Sequence, residues 1–182
     1  MKKISLAWLI AAMLAGCGGI PKGVAPVTGF DIGRYLGVWY EIARLEHSFE
    51  RGLSDVTASY SLRDDGGIDV TNRGCDAEKG KWRTARGKAY AATAPDAGYL
   101  KVSFFGPFYA SYVVFGLDKA GYQYSFVTGP DRTYLWLLAR TPQVGEEVLK
   151  EFIREAGRLG FDTGKLIFVK HHPQPCSGEV QK

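Results

Sequence analysis

Side chains able to do covalent, acid–base or metal chemistry are sparse in this chain. Three cysteines stand far apart, at Cys17, Cys75 and Cys176. His47 and the adjacent His171-His172 could hold a metal ion. Neighbouring residues of an extended chain point to opposite sides, so a solvated tail is the expectation for the pair. The sequence contains no Gly-x-Ser-x-Gly nucleophile elbow, no His-Glu-x-x-His and no glycine-rich phosphate loop. Glu41 with Tyr60 is the one pairing that could act as an acid–base couple inside a cavity. The expectation is a binding protein with no catalytic residue, no metal and no cofactor.

The N-terminus reads as a targeting segment. Lys2 and Lys3 precede an apolar run from Ile4 to Leu14 that is broken only by Ser5. A bilayer span needs about 20 apolar residues, so this run fits a secretory signal instead. Leu14-Ala15-Gly16-Cys17 resembles the lipobox of bacterial lipoproteins. That resemblance implies a signal peptide over 1–16 and a lipidated Cys17 at the start of the mature chain. The alternative is an ordinary signal peptide with an incidental cysteine. By the sorting rule of such lipoproteins, Gly18 favours the outer membrane, with the protein facing the periplasm. Residues 17–28 then read as a short lipidated tether, and 29–182 as the folded domain. With Cys17 lipidated, Cys75 and Cys176 remain as a pair in an oxidising compartment. They form either a disulfide or two free thiols. Removing Lys2 and Lys3 lowers the formal net charge of +4 by two. A nearly neutral chain with scattered basic residues gives no argument for nucleic acid.

These side chains sit on what reads as a β-meander. Strands are expected at Trp39 to Arg44, Val56 to Leu62, Ile68 to Asn72, Lys81 to Thr93, Tyr99 to Phe105, Ser111 to Leu117, Tyr122 to Thr128 and Tyr134 to Ala139. Turn signals such as Asp64-Asp65-Gly66-Gly67 and Gly129-Pro130-Asp131-Arg132 separate them. Eight consecutive antiparallel strands invite closure into an up-and-down barrel, which removes exposed edges. Val144 to Leu159 carries apolar residues at helical spacing and ends at Gly160. Its stripe must pack outside the barrel. Leu166 to Val169 reads as a short added strand.

The barrel, the late helix and Gly37-Val38-Trp39 together resemble the lipocalin family. Leu117-Asp118-Lys119 partly matches the family's second motif, and Leu137-Leu138-Ala139-Arg140 supplies the arginine of its third. The runs Arg34-Tyr35-Leu36-Gly37-Val38-Trp39-Tyr40-Glu41, Lys101-Val102-Ser103-Phe104-Phe105-Gly106-Pro107 and Gly129-Pro130-Asp131-Arg132 are similar to the outer-membrane lipoprotein type of that family. The resemblance implies that Gly37, Trp39, Asp118 and Arg140 form a closed end, with Arg140 stacked on Trp39. The Cys75–Cys176 pair is similar to a link found in many lipocalins.

Strand phase then selects the inward residues. These are Glu41 and Ala43 on the first strand, and Val56, Ala58 and Tyr60 on the second. Leu100, Val102 and Phe104 follow on the fifth, Tyr112 and Val114 on the sixth, and Tyr134, Trp136 and Leu138 on the eighth. Family analogy places Tyr122, Tyr124 and Phe126 outward, under the helix. An inward Glu41 needs a partner such as Tyr60, Arg140 or a ligand head group. Each inward aromatic either lines a pocket or fills the core. Phe49, Phe105, Phe108 and Tyr109 give the open end an apolar lip that could meet a membrane or a second copy of the chain. Phe108 and Tyr109 could equally fold inward.

The function expected from the resemblance is the binding of fatty acids or lysophospholipid-like amphiphiles, for storage or transport in the cell envelope. The alternatives are a lipocalin-type enzyme acting on a bound lipid and a structural lipoprotein with a filled barrel.

Overall fold

The computed structural model describes residues 19–173 and Cys176. The lipobox and Cys17 lie outside the described residues. A short helix α1 (Ile32–Tyr35) precedes eight long strands, β1 (Gly37–Arg44), β2 (Leu53–Leu62), β3 (Ile68–Asp76), β4 (Lys81–Ala91), β5 (Tyr99–Phe105), β6 (Phe108–Leu117), β7 (Tyr124–Thr128) and β8 (Leu135–Ala139). Helix α2 (Glu146–Arg158), a 3-10 turn at Thr163–Lys165 and a short β9 (Ile167–Phe168) follow.

Each strand from β2 to β8 pairs with the next, and β1 pairs with both β2 and β8. That double pairing closes the eight-stranded antiparallel barrel, as the sequence leads one to expect. The expected strands fall on the observed ones, with β2, β3 and β6 extended at the mouth by three or four residues.

One end of the barrel is closed by α1. Its N-cap is Asp31, whose carboxylate accepts from the Gly33 and Arg34 amides. Gly37, at φ +94°, turns the chain from α1 into β1. Trp39 lies fully buried behind that turn, and its ring N–H donates to the Tyr35 carbonyl at 2.8 Å. The Arg140 guanidinium sits 3.9 Å from the Trp39 ring centre. It also donates to the carbonyls of Val38, Arg34 and Tyr122. Asp118 caps the β6–β7 turn by accepting from the amides of Ala120, Gly121 and Gln123.

Two apolar cores share the barrel wall. The inner one fills the closed half, with Phe30, Tyr35, Trp39, Leu100, Val114 and Tyr122 among its members. The outer one lies beneath α2, where Phe152 and Ala156 meet Phe126, Leu135 and Leu137. The Phe126 and Phe152 rings are 5.2 Å apart, and Tyr124 donates to Glu151. Tyr122 departs from the expectation. It has φ +54° and lies in the inner core, with its hydroxyl accepting from the Asp31 amide at 2.8 Å. The tight turn around Asp118 breaks the strand alternation, so Tyr122 does not continue the face of Tyr124 and Phe126.

Both ends of the chain are laid against the barrel. Residues 19–28 do not form the free tether that their glycine, proline and alanine suggest. Val24 is buried, the Val27 amide donates to Val114 O, and Gly98 N donates to Val27 O. At the other terminus, β9 pairs with the end of β1. Beyond Tyr40 and Thr57, β1 and β2 diverge. The C-terminal segment fills the gap: Val169 N donates to Ile42 O and Asp55 N to Lys170 O. Cys176 is disulfide-bonded to Cys75 on β3. His172 is exposed, as expected of a solvated pair, but both histidines are tied to the barrel and do not hang in a free tail. The His172 amide and ring both bond the Asp55 carboxylate, and the His171 ring bonds Glu41 O.

Trp39→Ala removes a fully buried ring and should cost about 3–5 kcal/mol. Arg140→Ala strands three carbonyls and loses the stacking contact, for about 2–4 kcal/mol. Urea unfolding of both variants checks these values. Ligand preference measured on the folded fraction should be unchanged.

Candidate functional site

Above the inner core the barrel holds a cavity of about 680 Å³, open at the end formed by the β1–β2, β3–β4, β5–β6 and β7–β8 loops. Ten of the thirteen residues expected to face it do so. They are Glu41 on β1, Val56, Ala58 and Tyr60 on β2, Val102 and Phe104 on β5, Tyr112 on β6, Tyr134 just before β8, and Trp136 and Leu138 on β8. Ala43, Leu100 and Val114 do not. Leu100 and Val114 point inward but lie deeper, in the packed core under the cavity floor.

Ala43 is turned outward into the core beneath α2. The reason is a β-bulge in β1: Glu41 pairs with Leu138, yet Ala43 pairs with Leu137, with Ile42 as the extra residue. One inserted residue reverses the side-chain phase beyond it. Ala43 therefore shares the outward face of Leu137, and Arg44, opposite Trp136, turns into the barrel.

Arg44 is 2% exposed and is the group that strict alternation misses. Its Nη1 donates to Glu41 Oε1 at 2.6 Å, and its Nη2 to the carbonyls of Glu50 and Leu53. Glu50, on the β1–β2 loop, is also buried and accepts from the Trp136 ring N–H at 3.2 Å. Glu41 thus finds its partner in Arg44 and Glu50, not in Tyr60 or Arg140.

Burial raises the Glu41 pKa well above the usual carboxylate range; the Glu50 charge adds to this and Arg44 opposes it. Burial raises Glu50 too, against its hydrogen bond from Trp136 and the nearby Arg44 charge. Burial and the closeness of the two carboxyls both favour protonation, and the single guanidinium beside them opposes it. His47 stacks between Phe49 and Tyr134 at 5.2 and 4.7 Å. Burial, helped by Arg44, lowers its pKa to about 4, so the ring is neutral at pH 7.

The floor carries a second polar group. Tyr112 Oη is linked to Tyr35 Oη at 2.8 Å and to Tyr60 Oη at 2.9 Å, and Tyr35 also meets Ser125 Oγ at 3.0 Å. Burial pushes the Tyr35 phenol up to about 12 and raises Tyr60 and Tyr112 as well. All three remain neutral donors and acceptors. Tyr60 is bonded here and Glu41 to Arg44, so the two are not assembled as an acid–base couple.

On the β3 wall, the buried Asn72 Oδ1 has no hydrogen-bond partner among the described residues. The Asn72 residue lines the cavity, while this oxygen itself is shielded. Asn72, Glu50 and Arg44 went unassigned at the sequence level. Asn72 alone carried a signal, because it shares the phase of Ile68 and Val70 once β3 is extended to Asp76. At the mouth, Phe105 and Phe108 are 82% and 77% exposed. Phe108 and Tyr109 stand at the rim and also line the cavity entrance. Tyr109 packs near Tyr90 on the outer face. Among the described residues no cluster of histidine, cysteine and acidic side chains could hold a metal ion.

A closed eight-stranded barrel with an arginine-stacked tryptophan at one end and an open apolar cavity at the other defines a lipocalin. Residues 30–171 match the family model described as a lipocalin-like domain, and the chain belongs to that family. It is 57% identical over 162 residues to the outer membrane lipoprotein Blc of Vibrio cholerae, covering 89% of this chain and 95% of that protein. The corresponding Escherichia coli K12 protein is 55% identical over 150 residues, covering 82% and 84%. Temperature-induced lipocalin-1 of Arabidopsis thaliana is 36% identical over 154 residues, covering 80% and 81%. Among solved structures, insecticyanin of the tobacco hornworm Manduca sexta superposes with a TM-score of 0.68. It is 21% identical, and the match covers 87% of this chain and 90% of that one.

Arg44→Met leaves two buried carboxyls without their cation and should cost about 3–5 kcal/mol. Glu41→Gln keeps an acceptor for Arg44 and a donor for Glu50, so it should be tolerated. The raised carboxyl pKa values mean that the folded chain holds a proton the unfolded chain releases. Their contribution therefore favours folding at low pH and declines as pH rises above the ordinary range near ~4.3. Urea unfolding against pH should show that decline in the parent and a flatter curve in Glu41→Gln.

Proposed function

We propose that this protein binds single-chain amphiphiles, fatty acids or lysophospholipid-like lipids, inside the barrel, and stores or carries them in the bacterial envelope. The observation that carries this reading is the open cavity of about 680 Å³. That volume lies within the ~300–1,000 Å³ of small-molecule sites. The walls are mostly apolar, from Val56, Ala58, Val102, Phe104 and Leu138, with few polar groups. An acyl chain fits such walls. Asn72, Glu41 and Glu50 are polar lining residues that suit a head group able to hydrogen-bond. A free barrel interior speaks against the filled-barrel alternative. Glu41 and Tyr60 each bond other groups, which favours a binding role over an enzyme built on that pair.

The lipobox-like sequence, and the relatives named outer membrane lipoproteins, support lipidation at Cys17 and anchorage at the outer membrane, facing the periplasm. The thirteen candidate residues divide accordingly. The ten at the cavity surface contact the ligand, and the other three support the wall.

Each added methylene should gain about 0.8 kcal/mol until the cavity is full, a factor of about four in affinity. Displacement of a fluorescent fatty acid by a homologous series checks the slope and finds the length at which it flattens. Absence of binding by every amphiphile of about 12–18 carbons at micromolar concentration, ~8 kcal/mol, would overturn the reading.

A further inference from the structure

We infer that the cavity floor binds a neutral oxygen at the buried end of the ligand, the keto or hydroxyl group of an oxygenated acyl chain, through a hydrogen bond donated by Tyr60 or Tyr112. This deepens the reading of the barrel as a site for single-chain amphiphiles and rests on it.

The first support is a count of hydrogens. Ser125, Tyr35, Tyr112 and Tyr60 form an unbranched chain of four hydroxyls joined by three hydrogen bonds, with O···O distances of 3.0, 2.8 and 2.9 Å. Each hydroxyl brings one hydrogen, and each bond uses one. One hydrogen is left over, whichever way the bonds run. Among the described residues none of the four hydroxyls has a further partner. On Ser125 or Tyr35 the surplus hydrogen would point into packed core, because both are fully buried and neither lines the cavity. A donor placed there loses its hydration without return. Tyr60 and Tyr112 both line the cavity. The surplus donor therefore rests on one of these two. Ser125 then donates to Tyr35 and Tyr35 to Tyr112, and each bond polarises the next towards the floor.

The second support is the sign of the surroundings. No cationic side chain bonds the hydroxyl chain. Burial is the main reason that Tyr60 keeps its proton, and negative neighbours, Glu41 and Glu50 among them, add to it. An anion held at the floor meets the same opposition. A carboxylate is better placed at the mouth end of β4, where Arg83 lines the cavity. The acyl chain then enters methyl end first, and its far half reaches the floor.

The third support is the wall between these levels. Val102, Phe104 and Leu138 give an oxygen nothing to bond on the way down. A plain chain that reaches the floor covers the donor and offers no acceptor. Only an oxygen at the matching depth restores the bond, and a keto oxygen suits it best because it accepts without bringing a hydrogen of its own.

The test measures displacement of a fluorescent fatty acid by octadecanoic acid and by a series carrying one keto group at successive carbons. Methyl-branched chains serve as size controls. Affinity should peak about tenfold above that of octadecanoic acid at a position in the methyl-terminal half, with no gain from a methyl branch there. In Tyr60→Phe/Tyr112→Phe, which removes both floor hydroxyls, the ratio of keto to plain chain should fall to about one. The infrared carbonyl band of the bound keto chain should lie lower in the parent than in that variant. A flat series in the parent overturns the inference without recourse to any variant. So does an equal gain from the methyl branch, or a peak that survives in the folded double variant. Binding of octadecanoic acid with a flat series removes only the oxygen subsite, whereas failure of every chain to bind removes the amphiphile reading itself.

Discussion

The Arg140 guanidinium lies over Trp39 and donates to three backbone carbonyls, those of Arg34, Val38 and Tyr122. Those carbonyls belong to the end of α1, the start of β1 and the β6–β7 turn. A single residue after β8 therefore fixes the three pieces of chain that must meet for the barrel to close. Arginine suits the task because its planar fork presents several donors while its face stacks on a ring. Lysine, a point charge with no planar face, could not replace it. Above this plug the inner core stacks in order, with Tyr35 and Tyr60 reaching the cavity floor. The position of the floor, and so the depth of the cavity, follows from how the plug is held.

The polar cluster at the mouth has a different logic. Arg44, Glu41 and Glu50 are all nearly excluded from water. Three charges at that depth would be costly, and the raised carboxyl pKa values are the sign of that cost. The cluster contributes directional hydrogen bonds among its own members. This is compatible with an interior that is otherwise apolar.

Much of the architecture follows from patterns that depend only on local spacing. Alternation over β2, β5 and β8 and the aspartate-glycine turns place nearly every strand. Strand phase also puts Val56, Tyr60, Val102, Phe104 and Trp136 at the cavity. Where the reading goes astray, a backbone irregularity intervenes. The bulge at Ile42 exchanges Ala43 for Arg44, and no composition signal marks it. The turn at Asp118 pulls Tyr122 out of phase. Glu50 and His47 come from a loop, where no period exists to assign a side. Residues 17–28 look like a tether because glycine, proline and alanine are weak partners for packing. The described part adheres through backbone hydrogen bonds of Val27 and the packing of Ile20, Val24 and Val27, too few apolar residues to show a period.

The slot between β1 and β2 is sealed only by the last residues of the chain. β1, near the start, takes its partners from β2, β8 and β9, and the disulfide ties β3 to Cys176. Nothing emerging early can complete the barrel by itself. A chain of this topology remains an open thread until almost its whole length is available. Closure of the barrel is therefore a late event in folding, because the first strand waits for its last partners.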